Sequence, residues 1–217
     1  MARDRIKVRH YYEFRTVGRR LAENQIEALR RMSGRLRIGP TALVGDFTQE
    51  NDPEFDAAWL MREYFDVFMF FDGAGTRHLT FRLPAALAPA TRRFVVRAGE
   101  GSGVEAEVVG DDVFVRLAYC AFDGELGYLR ETPEQWLDEL TPLRDLMIEG
   151  DLSPLYLAWE MATRENDVAY PGEPSPREED GEREPMPPAL AALDRFLYPD
   201  VVYGSYGERN HEDPGRS

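Results

Sequence analysis

The chain has 217 residues, 43% of them hydrophobic and 12% aromatic, and a formal net charge of −14. That length fits one domain with or without an appendage, large enough to bury a core without covalent staples. The charge argues against general affinity for nucleic acid or anionic membrane, and the single cysteine, Cys120, excludes an internal disulfide and any multi-cysteine zinc site.

The first ten residues, MARDRIKVRH, carry charge but no apolar stretch, so no secretory signal is expected there. No run reaches the about 18 apolar residues that a membrane helix needs. With one cysteine in the whole chain, the expected setting is soluble and cytoplasmic. The charge is uneven: residues 1–37 hold eleven Arg or Lys and four Asp or Glu, and Lys7 is the only lysine of the chain.

In chain order, residues 10–16 (HYYEFRT) read as a first strand. A helix follows over 21–33, with Ala22, Ile26 and Leu29 on one stripe and Gly34 at its end. Residues 42–48 (ALVGDFT) read as a second strand. Asp52 followed by Pro53 predicts a capped helix over 53–65 carrying Phe55, Trp59, Leu60 and Tyr64.

Residues 68–84, FMFFDGAGTRHLTFRLP, pose the one question on which a nucleotide site turns. A phosphate-binding loop must hand over to a helix whose first amides face the anion. The residues after GAGT instead alternate, Leu79, Phe81 and Leu83 on one side and His78, Thr80 and Arg82 on the other, which is the period of a strand. Asp72, Gly73 and Gly75 are hairpin-loop residues, and no GKS or GKT triplet occurs. GAGT is therefore expected at a hairpin tip. RAGEGSG (97–103) lies between strand-like runs and reads as a connection. VEAEVVGDDVFVRLAY (104–119) reads as a hairpin turning at Gly110, Asp111 and Asp112. Cys120 follows it, as a small buried hydrophobe.

Beyond residue 123 the period becomes helical. Thr132 to Gln135 forms a capping-box start for a helix bearing Trp136, Leu137 and Leu140. Thr141 and Pro142 open another with Leu143 and Met147. Gly150 is placed to close it, and Asp151 to cap a last core helix with Leu152, Leu155, Tyr156 and Trp159. Residues 165–185 hold eight acidic and two basic side chains and four prolines, the composition of a solvated linker. A short amphipathic helix follows, with Leu190, Leu193, Phe196 and Leu197 on one side, then a tail. The expected division is an α+β core over 1–164, a linker over 165–186, and the helix and tail over 187–217.

In this order the words YYEF (11–14), GDF (45–47), YFD (64–66), GTR (75–77), RLP (82–84), PLR (142–144), GD (150–151), LYLAW (155–159) and PPAL (187–190) span nearly the whole chain. With them the chain resembles a family of uncharacterised bacterial proteins. It departs from that pattern at Ala22, where Ser or Thr is expected, and at Ala74, where Trp is expected. The resemblance implies the organisation and no activity, cofactor or catalytic residue.

The three histidines, His10, His78 and His211, lack metal-ligand spacing, and the acidic pairs Asp111–Asp112 and Asp123–Glu125 are ordinary loop residues. Glu13, Asp46 and Asp66 interrupt apolar surroundings. They suit either a burial-shifted acid or an ion pair with an arginine such as Arg77 or Arg82, and the ion pair is the simpler reading. Arg30, Arg31, Arg35 and Arg37, with Tyr11 and Tyr12 for stacking, are the candidates for nucleic-acid contact. Leu190, Leu193, Phe196 and Leu197 are the candidates for a protein partner; their helix either binds in trans or folds back on its own core, and the sequence leaves both open.

The sequence thus predicts an α+β two-layer sandwich: a mainly antiparallel sheet with helices packed against it and a helical C-terminal portion. The expected function is that of a non-catalytic accessory or scaffold subunit of a bacterial cytoplasmic assembly, with a protein partner and no cofactor. Nucleic-acid binding through the N-terminal arginines is the first alternative, and an enzyme using buried carboxylates the second.

Overall fold

A computed structural model describes residues 9–52, 56–72, 75–96, 101–120, 133–165 and 186–197. Seven strands form one sheet: β1 (Arg9–Arg15), β2 (Arg37–Ile38), β3 (Ala42–Thr48), β4 (Val67–Asp72), β5 (Arg77–Pro84), β6 (Gly103–Val109) and β7 (Asp112–Tyr119). Their order across the sheet is β2-β3-β1-β4-β5-β7-β6, and every pairing is antiparallel. The helices are α1 (Glu23–Met32), α2 (Ala57–Glu63), the short α3 (Ala88–Thr91), α4 (Trp136–Leu140), α5 (Pro142–Ile148), α6 (Ser153–Glu165) and α7 (Pro188–Leu197). The class is α+β, an antiparallel sheet with helices packed against it and a helical C-terminal portion.

Alternation along the strands divides the sheet into two faces. One face carries Tyr11, Met69, Leu79, Val104, Val115 and Leu117, all buried in a core shared with Leu140, Met147, Leu155 and Phe196 of α4 to α7. The opposite face is covered at its β3-β1-β4 end by α1 and α2, where Phe14, Leu43, Phe47 and Phe68 meet Leu29, Leu60 and Met61. Phe14 and Phe68 stack at 4.3 Å between ring centres, a cross-strand aromatic pair that fixes register.

β4 and β5 pair as an antiparallel hairpin across GAGT, of which Gly75 and Thr76 are among the described residues and Gly73 and Ala74 are not. Asp72 N–H bonds the Thr76 carbonyl at 2.9 Å, the Asp72 side chain accepts from Thr76 N–H at 3.1 Å, and Gly75 takes φ +111, a conformation that favours glycine. The chain leaves this turn as β5, so no helix N-terminus faces it. The second hairpin also stands, with Gly110 at φ +60 between β6 and β7. Gly150 closes α5 in a Schellman motif: it takes φ +97, its N–H bonds the Met147 carbonyl at 3.2 Å, and Asp151 N–H bonds the Leu146 carbonyl at 2.9 Å. The Asp151 side chain then accepts from Ser153 N–H at 2.9 Å, at the start of α6.

Three local expectations differ. The helix after β3 is capped by Asp56, which accepts from Trp59 N–H at 2.9 Å, and not by Asp52. Residues 53–55 lie outside the described residues. The strand-like run around Phe94 follows a series of short helical turns, Ala85–Leu87, Ala88–Thr91 and Arg92–Phe94, and only Val96 bridges to the sheet, at Val104. Leu87, Ala88 and Phe94 bury against the sheet from these turns, so packing overrode the strand propensity of FVV. At α1, Ala22 has no side-chain acceptor, and only the Gln25 half of a capping box forms, with Ala22 N–H on Oε1 at 2.9 Å. The predicted linker lies outside the described residues but for its two ends, as do Ala74, Asp123 and Glu125.

Candidate functional site

The sequence candidates separate into three groups once folded. Leu190, Leu193, Phe196 and Leu197 lie in the core of their own chain, each 0–3% exposed. Burial of such side chains contributes roughly 1.5–3 kcal/mol apiece, so the stripe of α7 is satisfied in cis. Arg77 of β5 anchors the helix from below: it is fully buried, and its Nη1 donates to the Phe196 carbonyl at 3.1 Å, in the last turn of α7. Its guanidinium lies over Phe71, Trp136 and Phe196, at 5.3, 6.0 and 5.6 Å from the ring centres. Trp136 also receives Arg195 at 5.9 Å, and Arg195 pairs with Glu139 of α4 at 2.6 Å. A sheet arginine, a helix tryptophan and a surface arginine thus tie β5, α4 and α7 together. Nothing in the local sequence around GTR marks Arg77 as buried, because apart from Phe71 its ring contacts, Trp136 and Phe196, come from more than fifty positions away.

The carboxylates are paired, each to a different arginine. Glu13, 2% exposed, accepts from Tyr11 Oη at 2.7 Å and from Arg15 at 2.6 Å; Arg15 reaches on to Asp138 at 2.5 Å. Asp46 takes a bidentate pair from Arg9, both bonds at 2.8 Å, and Arg9 also bonds Glu134 at 2.6 Å. Burial and Glu13 hold the Tyr11 hydroxyl above its usual pKa, and the hydrogen bond to Asp46 does the same for Arg9. Asp66 accepts from Val17 N–H at 2.9 Å and lies 3.4 Å from Arg19. The arginines are therefore Arg15, Arg9 and Arg19, not Arg77 or Arg82; Arg82 pairs with Asp112 at 2.5 Å. This is the geometry of ion pairs that clamp β1 to β3 and to the α4 region, with the acids occupied by arginine partners.

The N-terminal arginines do not share a surface with both tyrosines. Tyr11 and Tyr12 are adjacent in β1 and so point to opposite faces; Tyr11 is 1% exposed beneath the helices. Arg30 and Arg31 are exposed on the last turn of α1, where the helix dipole favours them. Arg35 bonds the Asn51 carbonyl at 3.0 Å, and Arg37 sits on the edge strand β2 opposite Val44, on the Tyr11 face.

The second face of the sheet holds a polar cluster that sequence spacing did not reveal. His10 Nδ1 donates to Asp52 Oδ2 at 2.5 Å, and the Tyr12 hydroxyl donates to the same oxygen. Burial, then the bond to Asp52, raises the Tyr12 pKa. Phe70 separates His10 from His78, with ring centres 5.5 Å from each. Burial and the nearby Arg116 push the His78 imidazole down to about 4, so it is neutral at physiological pH. Cys120, half-buried, has its thiol pushed up by burial and is therefore a poor thiolate. Among the described residues no three His, Cys, Asp or Glu side chains gather in a way that could hold a metal ion. No helix among them is long and apolar enough to cross a membrane.

One edge of the sheet has an outer side that is largely without a partner strand among the described residues. The two edges are unequal: β2 has two residues, β6 has seven. Val104 of β6 bonds outward to Val96, its N–H and C=O at 3.1 and 2.9 Å. Antiparallel alternation therefore turns the N–H and C=O of Ala106 and Val108 outward as well, and those of Glu105 and Glu107 toward β7. Among the described residues no strand pairs with this outer side beyond Val104. Val108 is 42% exposed, the only β-strand residue among the large exposed hydrophobics described. An open edge of this kind is a template for another strand.

Comparisons of the chain with protein-family models, with curated proteins and with solved structures return no match.

Proposed function

We propose that this chain is a non-catalytic accessory or scaffold subunit of a bacterial cytoplasmic assembly, and that it engages its protein partner by adding a strand at β6. The single supporting observation is the outer edge of β6, where Ala106 and Val108 present backbone donors and acceptors beside an exposed valine. Main-chain bonds of this kind supply affinity, and the alternating side chains supply selectivity. The paired state of Glu13, Asp46 and Asp66 accords with a structural use of those acids.

The test is site-specific photocrosslinking in the native host, with the photoreactive residue at 108 and, as control, at exposed Arg31. The product specific to position 108 is identified, purified and titrated against the full chain. Binding that weakens at least tenfold with Val108→Pro supports the reading, because proline at this position removes an outward N–H and no bond to β7. A partner that binds Val108→Pro as well as wild type, or crosslinks equally from position 31, overturns it.

A further inference from the structure

We infer that the strand received at β6 is a basic one, carrying Lys or Arg at alternate positions; this rests on the edge-docking reading above and names the chemistry of its partner. Glu105 and Glu107 both point to the face away from α4 to α7 and are exposed, two positions apart on the open edge. Glu105 has Arg116 behind it on β7, at 3.3 Å, with side chains half exposed. Glu107 lies opposite Phe114 and has no ion pair among the described residues. A strand laid along β6 brings its own side chains within about 5 Å of these carboxylates. Opposite charges there are favourable and like charges are not.

The same pair of glutamates decides against a second copy of this chain as occupant. Pairing β6 with β6 of another molecule sets Glu105 and Glu107 of one strand against those of the other, four carboxylates on one face of the ladder, in a chain that already carries −14. Edge charges commonly serve to prevent such self-pairing. They exclude a like strand and leave a basic one admitted. On the opposite face of the added strand the partner offers apolar side chains, which meet Val108 and half-buried Ala106.

The experiment uses the full chain, isotopically labelled, and two eight-residue peptides: one alternating lysine with valine, the other glutamate with valine. Backbone amide shifts and hydrogen exchange are followed by NMR at low salt. The expected result is that the lysine peptide shifts and protects the amides of Ala106 and Val108, that the glutamate peptide binds at least tenfold more weakly, and that Glu105→Lys/Glu107→Lys reverses the preference. Val108→Pro, which has no amide at 108, loses the peptide-induced shift and protection at Ala106, with the remaining spectrum showing that the fold is intact. If both peptides bind equally at β6, the inference of a basic partner fails and edge docking survives. If neither peptide moves Ala106 or Val108, edge docking itself fails. If those amides become protected with rising protein concentration and no peptide, the occupant is a second copy and the inference is overturned.

Discussion

Arg77 Nη1 lies 3.1 Å from the Phe196 carbonyl, joining the strand that follows GAGT to the last turn of α7 across 119 residues of sequence. The contact adds a polar anchor to a helix that buries five side chains in its own core. It places a permanent cation against a helix C-terminus and among three aromatic rings, where both interactions are favourable.

Arg77→Met removes the donor and the cation while keeping most of the volume. It should destabilise the protein by about 2–4 kcal/mol in urea unfolding, the range for a buried charged hydrogen bond with its ring contacts. Proteolysis at residues 186–197 should quicken with it. Arg77→Lys should not restore the loss, because a single ammonium cannot both reach the carbonyl and lie flat on the rings. Unchanged stability in Arg77→Met would show that α7 is held by its apolar stripe alone.

Gly45 is required by a neighbour and not by its own backbone angles. A Cβ there would meet Phe47 Cε2 at 2.5 Å and Leu36 Cδ2 at 3.1 Å. Gly45→Ala should therefore cost roughly 1–3 kcal/mol by overpacking. Gly45→Ala/Phe47→Leu should recover part of that cost relative to the sum of the single variants, measured as a double-mutant cycle in urea.

His78 predicts a window of pH dependence. Burial and Arg116 lower its folded pKa to about 4, from the ordinary 6.5 of an unfolded histidine. Between those values the unfolded chain binds the proton and the folded chain does not. Stability should fall as pH drops from about 6.5 to 4, by up to roughly 3 kcal/mol from this group, and this loss stops below the folded pKa. His78→Gln should flatten that part of the urea midpoint curve, and NMR titration of the imidazole reads the pKa directly. A His78 that titrates near 6.5 in the folded protein would refute the prediction.

Asp56, and not the Asp52 expected from sequence, should behave as the helix cap. Asp56→Ala should cost about 1 kcal/mol as the loss of a helix cap. Asp52→Asn should instead alter the tyrosine and histidine signals of Tyr12 and His10, whose donors converge on its Oδ2. Circular dichroism melts and side-chain NMR of the two variants distinguish these outcomes.

Much of the candidate docking edge was readable in the sequence. Alternation in VEAEVV places Glu105 and Glu107 on one side and Val104, Ala106 and Val108 on the other, and the Gly110 turn sets the register with β7. What the sequence did not show is that β6 ends the sheet, since that depends on β7, and not β6, pairing with β5. The opposition of Tyr11 and Tyr12 was readable too, from the same period of two. The use of Asp52 was not, because His10 and Tyr12 reach it from forty residues away.

Local pattern was enough for the hairpins, the helix end at Gly150 and the succession of core helices after residue 132, since periodicity and turn chemistry act over a few residues. It also determined that GAGT could not precede a helix, because Leu79, Phe81 and Leu83 alternate. Long-range packing set where α7 docks, which arginine each acid meets, and which strand has an outer side largely unpaired among the described residues. Those outcomes rest on contacts between distant residues such as Arg9 and Glu134, and on the order of strands across the sheet, which no local pattern encodes.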